Sequence, residues 1–257
     1  GAAGAAHGAS GTMPADDVEP APGTARAAEG YSLELADRVV EPGVTRPLRF
    51  RIVGSDGESV TEFDLEHERR MHVIVARDDL TGFQHLHPRM SEDGEWNVPL
   101  RLGAPGSYRV FADFSADETP LTLADSLLAT GEPAAKPLPA PATAATSDGG
   151  YDVEFAADDL EAGGEAELRF TVTRDGEPVA IEPYLGAGGH LVALREGDLA
   201  YLHVHPLGGA PDSGSGGPTG EPIAFSVQFP TAAAYRLFLQ FKVDGRLETA
   251  AFTQEVR

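Results

Sequence analysis

Two short stretches of this chain hold the side chains best suited to chemistry. One is Phe83-Gln84-His85-Leu86-His87-Pro88; the other, about 120 residues later, is Tyr201-Leu202-His203-Val204-His205-Pro206. A further histidine stands thirteen residues before the first of each pair, His72 in one case and His190 in the other. Side chains alternate across a strand, so His-x-His sends two imidazoles to one face, about 7 Å apart along it. Neutral imidazole is a common metal ligand. Two rings from one strand and a third from its neighbour predict a three-nitrogen metal site in each half of the chain. The expected ligands are His72, His85 and His87 in the first half, and His190, His203 and His205 in the second. Seven of the eight histidines fall in or beside these clusters. The competing reading is a structural hydrogen-bond network in which Pro88 and Pro206 simply end the strands.

The turn ahead of the second cluster has Gly197-Asp198 at its centre, which suits a two-residue hairpin whose first position takes positive φ. That register sets His190 opposite His205, with His203 on the diagonal, and by analogy His72 opposite His87. A slip of one residue would send His72 and His190 to the other face. Asp113, on a neighbouring strand, is a candidate oxygen ligand; the matching position in the second half is Gln240, a poorer donor. His67 and Met71 flank the first cluster where the second has Leu185 and Gly189, which makes the first richer in donors. His85-x-His87 with Glu92 partly matches the ligand set of cupin metalloenzymes, but the upstream glycine spacing fails and the second half has no equivalent glutamate. No serine triad, phosphate-cradling glycine loop or paired-carboxylate site is legible, so a non-enzymatic protein is expected.

The elements that must carry these residues read as strands. Tyr31, Leu33 and Leu35 alternate with polar residues, as do Leu48, Phe50 and Ile52. Met71 to Ala76, Phe83 to His87, Trp96 to Leu102, Tyr108 to Phe114 and Leu121 to Leu128 continue the pattern between turn signals. No helical period appears, which predicts an all-β protein. The pattern then restarts: Tyr151 stands for Tyr31, Leu168-Arg169-Phe170 for Leu48-Arg49-Phe50, and Tyr235-Arg236-Leu237-Phe238 for Tyr108-Arg109-Val110-Phe111. An insertion between Leu207 and Gly220 accounts for the offset of the last match. Such a repeat predicts two homologous β domains. Residues 1–29 read as a flexible leader, 30–130 as the first repeat, 131–150 as a Pro/Ala-rich linker and 151–257 as the second repeat. Seven or eight short strands per repeat suit a Greek-key sandwich, and a barrel of similar size fits the same pattern.

Composition narrows the partners. Forty-one acids against nineteen bases leave a net charge of −22, and only Lys136 and Lys242 are lysines. Such a surface repels nucleic-acid phosphates and anionic lipid headgroups. With no cysteine, disulfides, thiolate zinc sites and a blue-copper centre are excluded. No apolar run approaches the roughly 18 residues that span a bilayer; the leader is an expected tether to a membrane or wall.

Three stretches resemble tandem Ig- or cupredoxin-like proteins of actinobacteria, secreted or lipid-anchored, often labelled heavy-metal-binding or copper-associated. They are Asp79-Leu80-Thr81-Gly82-Phe83-Gln84-His85-Leu86-His87-Pro88, Tyr108-Arg109-Val110-Phe111-Ala112-Asp113-Phe114 and Tyr184-Leu185-Gly186-Ala187-Gly188-Gly189-His190. The resemblance implies an extracytoplasmic protein that handles copper, and without cysteine any cupredoxin kinship would be architectural. Residues and resemblance together lead to the expectation of an exported protein binding Cu(II) or Zn(II) through histidine, for sequestration or delivery; copper has the greater intrinsic affinity for such a site. The rival expectation is an Ig-like structural or interaction module whose histidines only order the hairpin.

Overall fold

The computed structural model describes residues 23–202, 204–208 and 220–257. Every regular element among them is a strand. The first repeat contains β1 (Ala27–Ala28), β2 (Tyr31–Leu35), β3 (Val39–Val40), β4 (Arg46–Val53), β5 (His72–Arg77), β6 (Gln84–Leu86), β7 (Arg89–Met90), β8 (Trp96–Leu100), β9 (Gly106–Ala116) and β10 (Thr119–Ala129). The second contains β11 (Ala144–Thr146), β12 (Asp152–Ala157), β13 (Glu165–Arg174), β14 (Glu177–Pro178), β15 (His190–Arg195), β16 (Tyr201–Leu202), β17 (His205–Leu207), β18 (Ile223–Gln228), β19 (Ala233–Val243) and β20 (Arg246–Val256).

Each repeat is a two-sheet sandwich. The first stacks β1-β2-β4-β8-β7 on β3-β10-β9-β5-β6; the second stacks β11-β12-β13-β18-β17, with β14 beside β13, on β16-β15-β19-β20. All pairings are antiparallel except β3 with β10. Strands cross repeatedly from one sheet to the other, as in an immunoglobulin-like sandwich. A tyrosine corner marks both repeats near the start of the long central strand: Tyr108 Oη donates to the Ala104 carbonyl at 2.9 Å, and Tyr235 Oη to the Thr231 carbonyl at 3.0 Å. The sequence match of Tyr108 with Tyr235 thus reflects a fold device as well as a repeat.

Alternation explains most of the burial. Leu48, Phe50 and Ile52 of β4 point inward, facing Val73, Val75 and Val110 across the first sandwich. Leu168, Phe170, Leu191, Ala193 and Phe252 do the same in the second. Yet β5 is buried on both faces. Its odd residues, Val73 and Val75, belong to the core of the first repeat, while Ile74 and Ala76 join a third apolar cluster shared with Val192, Leu194, Leu199, Tyr201 and Phe238. The sheets bearing β5 and β15 therefore pack on each other through their outer faces. Phe83 stacks on Phe238 at 4.1 Å, and the repeat-equivalent pair, Tyr201 and Phe111, meets at 5.7 Å. Ile74 matches Val192 in the repeat and Ala124 matches Ala251, so the two domains meet in a pseudo-twofold manner.

Two segments outside the expected domain bounds take part. Within 1–29, β1 pairs with β2, and the Ala25 carbonyl accepts from Ala124 N at 2.8 Å. Gly23 lies so close to Tyr201 that an added Cβ would come within 2.9 Å of the tyrosine Cβ; residues 1–22, and with them most of the expected leader, lie outside the described residues. Within 131–150, β11 pairs with β12. The chain before it is strapped down: Lys136 N donates to Asp79 Oδ2 at 2.8 Å, Arg77 reaches the Ala134 carbonyl at 3.1 Å, and Leu138 packs on the shared cluster. Arg77 and Asp79 are themselves a buried bidentate pair.

Candidate metal centre

The histidines on β5 and β6 share the face that carries Ile74. The pairing of Val73 with Leu86 and Ile74 with His85 extends, one step on, to His72 opposite His87, as the expected register requires. That face is turned toward the second repeat. His72 is 3% exposed and His85 9%; the ligand nitrogens of His72, His85 and His87 all lie within 4.8 Å of one another. Tetrahedral zinc with Zn–N bonds of about 2.05 Å separates its nitrogens by about 3.3 Å. A small inward movement of these rings would close on an ion of that size.

Outer partners set the tautomers. A carbonyl oxygen can only accept, so His72 Nε2 carries the proton it donates to the Glu66 carbonyl at 3.2 Å. His85 Nδ1 likewise donates to Gln240 Oε1 at 2.7 Å. The two nitrogens left facing each other, His72 Nδ1 and His85 Nε2, are 3.0 Å apart. In neutral rings each presents a lone pair, and two lone pairs do not bond; a cation between them satisfies both. Protonation is disfavoured, because burial pulls His72 and His87 down from 6.5 to about 4 and His85 to about 3. Asp113 opposes the shift at His72, while the neighbouring histidines add to it at His85 and Arg69 adds to it at His87.

The second repeat contributes His190 to this same cluster. Its ring stacks on His85 at 4.6 Å and lies nearly parallel to His72 at 5.7 Å. Burial, with the other imidazoles beside it, pushes His190 well below its ordinary value. Among the described residues, the buried Nε2 atoms of His87 and His190 have no hydrogen-bond partner. His67 closes the group, edge-on to His72 and His190 at 6.2 and 6.1 Å. It sits on a tight turn with His67 and Glu68 both at positive φ, 46° and 64°, a conformation L-residues adopt at a cost.

Asp113 pairs with His72 across β5 and β9, as Gln240 pairs with His190 across β15 and β19. Its carboxylate accepts from Thr122 Oγ1 at 2.7 Å and from Tyr201 Oη at 3.2 Å. It stands beside the cluster with those hydroxyls bound to it. Met71 is buried in the core of the first repeat. Glu92 is exposed in the turn joining β7 to β8, on the opposite sheet, so the partial cupin ligand set is not assembled.

The second expected cluster is where structure and sequence part. The register of β15 with β16 is the expected one, Ala193 opposite Leu202 and Leu194 opposite Tyr201. The turn is longer than the expected two residues: Arg195 N donates to the Ala200 carbonyl at 3.1 Å, and Leu199 as well as Gly197 takes positive φ. After Leu202 the chain leaves that sheet. His205 lies on β17, paired with Ser226 of β18 in the opposite sheet, and is exposed. It does not meet His190. In the first repeat the same crossover comes later, after Leu86, and His87 stays with its partners. His203 lies outside the described residues. Among the described residues, His67, His72, His85, His87 and His190 converge at the junction while His205 stands apart, so His190, expected in the second cluster, belongs with the first. Gln240, which the sequence offered only as a weak counterpart of Asp113, turns out to bond across the junction.

Sheet order, tyrosine corners and a buried histidine cluster define a tandem immunoglobulin-like β-sandwich protein. A family model described as "Domain of unknown function (DUF8832)" matches residues 25–130 and again 144–257, and the chain belongs to that family. The description carries no heavy-metal or copper designation, so that part of the resemblance finds no support in it. No curated protein matches the chain. Among solved structures, it is similar to the Escherichia coli adhesin FdeC, with 15% identity over 90% of this chain and 65% of that one, at a TM-score of 0.29. It is also similar to the Yersinia pseudotuberculosis adhesin InvE, with 13% identity over 87% and 58% and a TM-score of 0.25. The titin domains z1z2 in complex with telethonin give 14% identity over 90% and 96%, and a TM-score of 0.23. The chain spans less than two thirds of the two adhesin chains, and TM-scores this low carry no argument about its function. No helix among the described residues is long and apolar enough to cross a membrane.

Proposed function

We propose that this chain is an extracytoplasmic, non-enzymatic immunoglobulin-like module that holds one Cu(II) or Zn(II) ion through His72, His85 and His87. The observation that carries the reading is the pair of inward nitrogens 3.0 Å apart, with the Glu66 carbonyl holding the proton on the far side of His72 and Gln240 Oε1 facing Nδ1 on the far side of His85. Neutral, buried imidazoles are ready to ligate without first losing protons. Ligands buried between two domains suit retention of the ion better than rapid hand-over, which favours sequestration or a structural role over delivery. The leader as an envelope tether is part of the same proposal.

A second reading has its own observation. Gln240 Nε2 lies 3.4 Å from Thr249 Oγ1, a hydroxyl that donates or accepts equally well. The amide turned over would donate to His85 Nδ1, and His85 Nε2–H would then donate to His72. In that arrangement the cluster is hydrogen-bonded glue, and the protein is an interaction module with no metal.

Titration of metal-stripped protein with Zn(II) or Cu(II) separates the two. One equivalent is expected to bind, to be lost in His85→Ala and to be kept in His205→Ala. A wild-type protein that takes up neither ion, or whose uptake needs His205, overturns the proposal.

A further inference from the structure

We infer that the second repeat finishes the metal site through Gln240, so that metal binding and docking of the two sandwiches are linked. This rests on the reading that His72, His85 and His87 bind an ion. All three expected ligands belong to the first repeat, yet the group that fixes which nitrogen of His85 is free comes from β19 of the second. Gln240 Oε1 accepts the Nδ1 proton at 2.7 Å, and the lone pair is left on Nε2, facing His72. The same repeat lays the His190 ring flat on His85 and supplies the Tyr201 hydroxyl that Asp113 accepts beside His72. Undocking would remove all three at once, expose the rings to water and release His85 to take either tautomer. By linkage, whatever docking adds to metal affinity, the metal adds to docking. Gln240 is in these terms a positioning residue that acts through His85.

The test uses the full chain and Zn(II) in competition with a chelator, at neutral pH. Replacing an outer partner of a metal-bound histidine typically weakens affinity by about 10–100-fold. Gln240→Leu is expected to bind one equivalent with affinity reduced in that range. Gln240→Glu is expected to bind more tightly than wild type, because a carboxylate can only accept the Nδ1 proton and makes the ring a better donor. A residue that merely packs the junction would weaken binding in both variants, whereas under the reversed-amide network Gln240→Leu would not weaken it, because the group holding the proton on His85 Nε2 is gone. The chain has no cysteine, so single cysteines at the exposed positions Glu58 and Asp175 can take a fluorophore pair. Zn(II) should narrow the inter-dye distance distribution in mild urea and do so less in Gln240→Leu. Wild-type affinity retained in Gln240→Leu, or weakened binding in Gln240→Glu, overturns the inference while the metal site stands; so does Zn(II) that binds without narrowing the distances. Wild-type protein that binds no Zn(II) or Cu(II) removes both.

Discussion

At the scale of the residue, the central fact is a group of imidazoles packed ring against ring in a nearly dry space. Burial is the largest cause of every depressed histidine in it, with neighbouring charges acting second. The consequence for the metal-free protein has a definite sign. His72, His85 and His87 bind protons near 6.5 when unfolded but only near 4 or 3 when folded. Above pH 6.5 both states are neutral there and pH has no leverage. Below it the unfolded chain takes up protons that the folded one refuses, so stability falls as pH drops, and the loss levels off only below about pH 3, where His85 too takes up its proton. Urea midpoints of stripped protein between pH 7 and 5, above the carboxylate range, should decline measurably. A midpoint that stays constant across that interval would contradict burial of the neutral rings.

At the scale of the element, β5 and β15 do two jobs at once. Their odd-numbered residues Val73, Val75, Leu191 and Ala193 fill the separate sandwich cores, and Ile74, Ala76, Val192 and Leu194 fill the junction. A strand wet on one side would alternate; β5 does not, because its outer side is covered. Phe238, 5% exposed and stacked on Phe83, is the largest wholly hydrocarbon side chain the second repeat brings to that contact. Phe238→Ala should cost about 3–5 kcal/mol, as for a fully packed aromatic. Chemical denaturation of the full chain measures it; a cost below about 1 kcal/mol would mean that the outer faces barely touch in solution.

At the scale of the whole molecule, each repeat has its own core and also half of a shared one. Fragments covering residues 23–143 and 144–257 are expected to fold, each with an apolar face exposed, and to associate when mixed. Both matched segments carry more acids than bases, so the fragments repel at long range. Moderate salt should therefore tighten their association, since screening removes the repulsion and leaves apolar burial intact. Sedimentation of the mixture at low and moderate salt checks this. Fragments that remain monomeric together at high concentration would show that the linker alone holds the junction.

What the sequence determined by itself is what depends on local pattern and on self-similarity. Period-two alternation at Leu48, Phe50 and Ile52 marks strands, and the repeat of Tyr108 in Tyr235 and of His72 in His190 marks two copies of one sandwich. Register was legible too, because slipping β5 or β15 by one residue would turn its core face to the outside. Which histidines meet was decided only by tertiary structure. His205 is separated from His190 by where the chain crosses between sheets, a choice made by the edge strands β16 and β17 and invisible to periodicity. Gln240 reaches His85 because two outer faces dock, and a contact between residues 155 apart leaves no spacing signal in either neighbourhood. Burial of charge-capable rings is likewise a property of the docked pair: alternation says which face a side chain takes, but only packing says whether that face meets water or another domain.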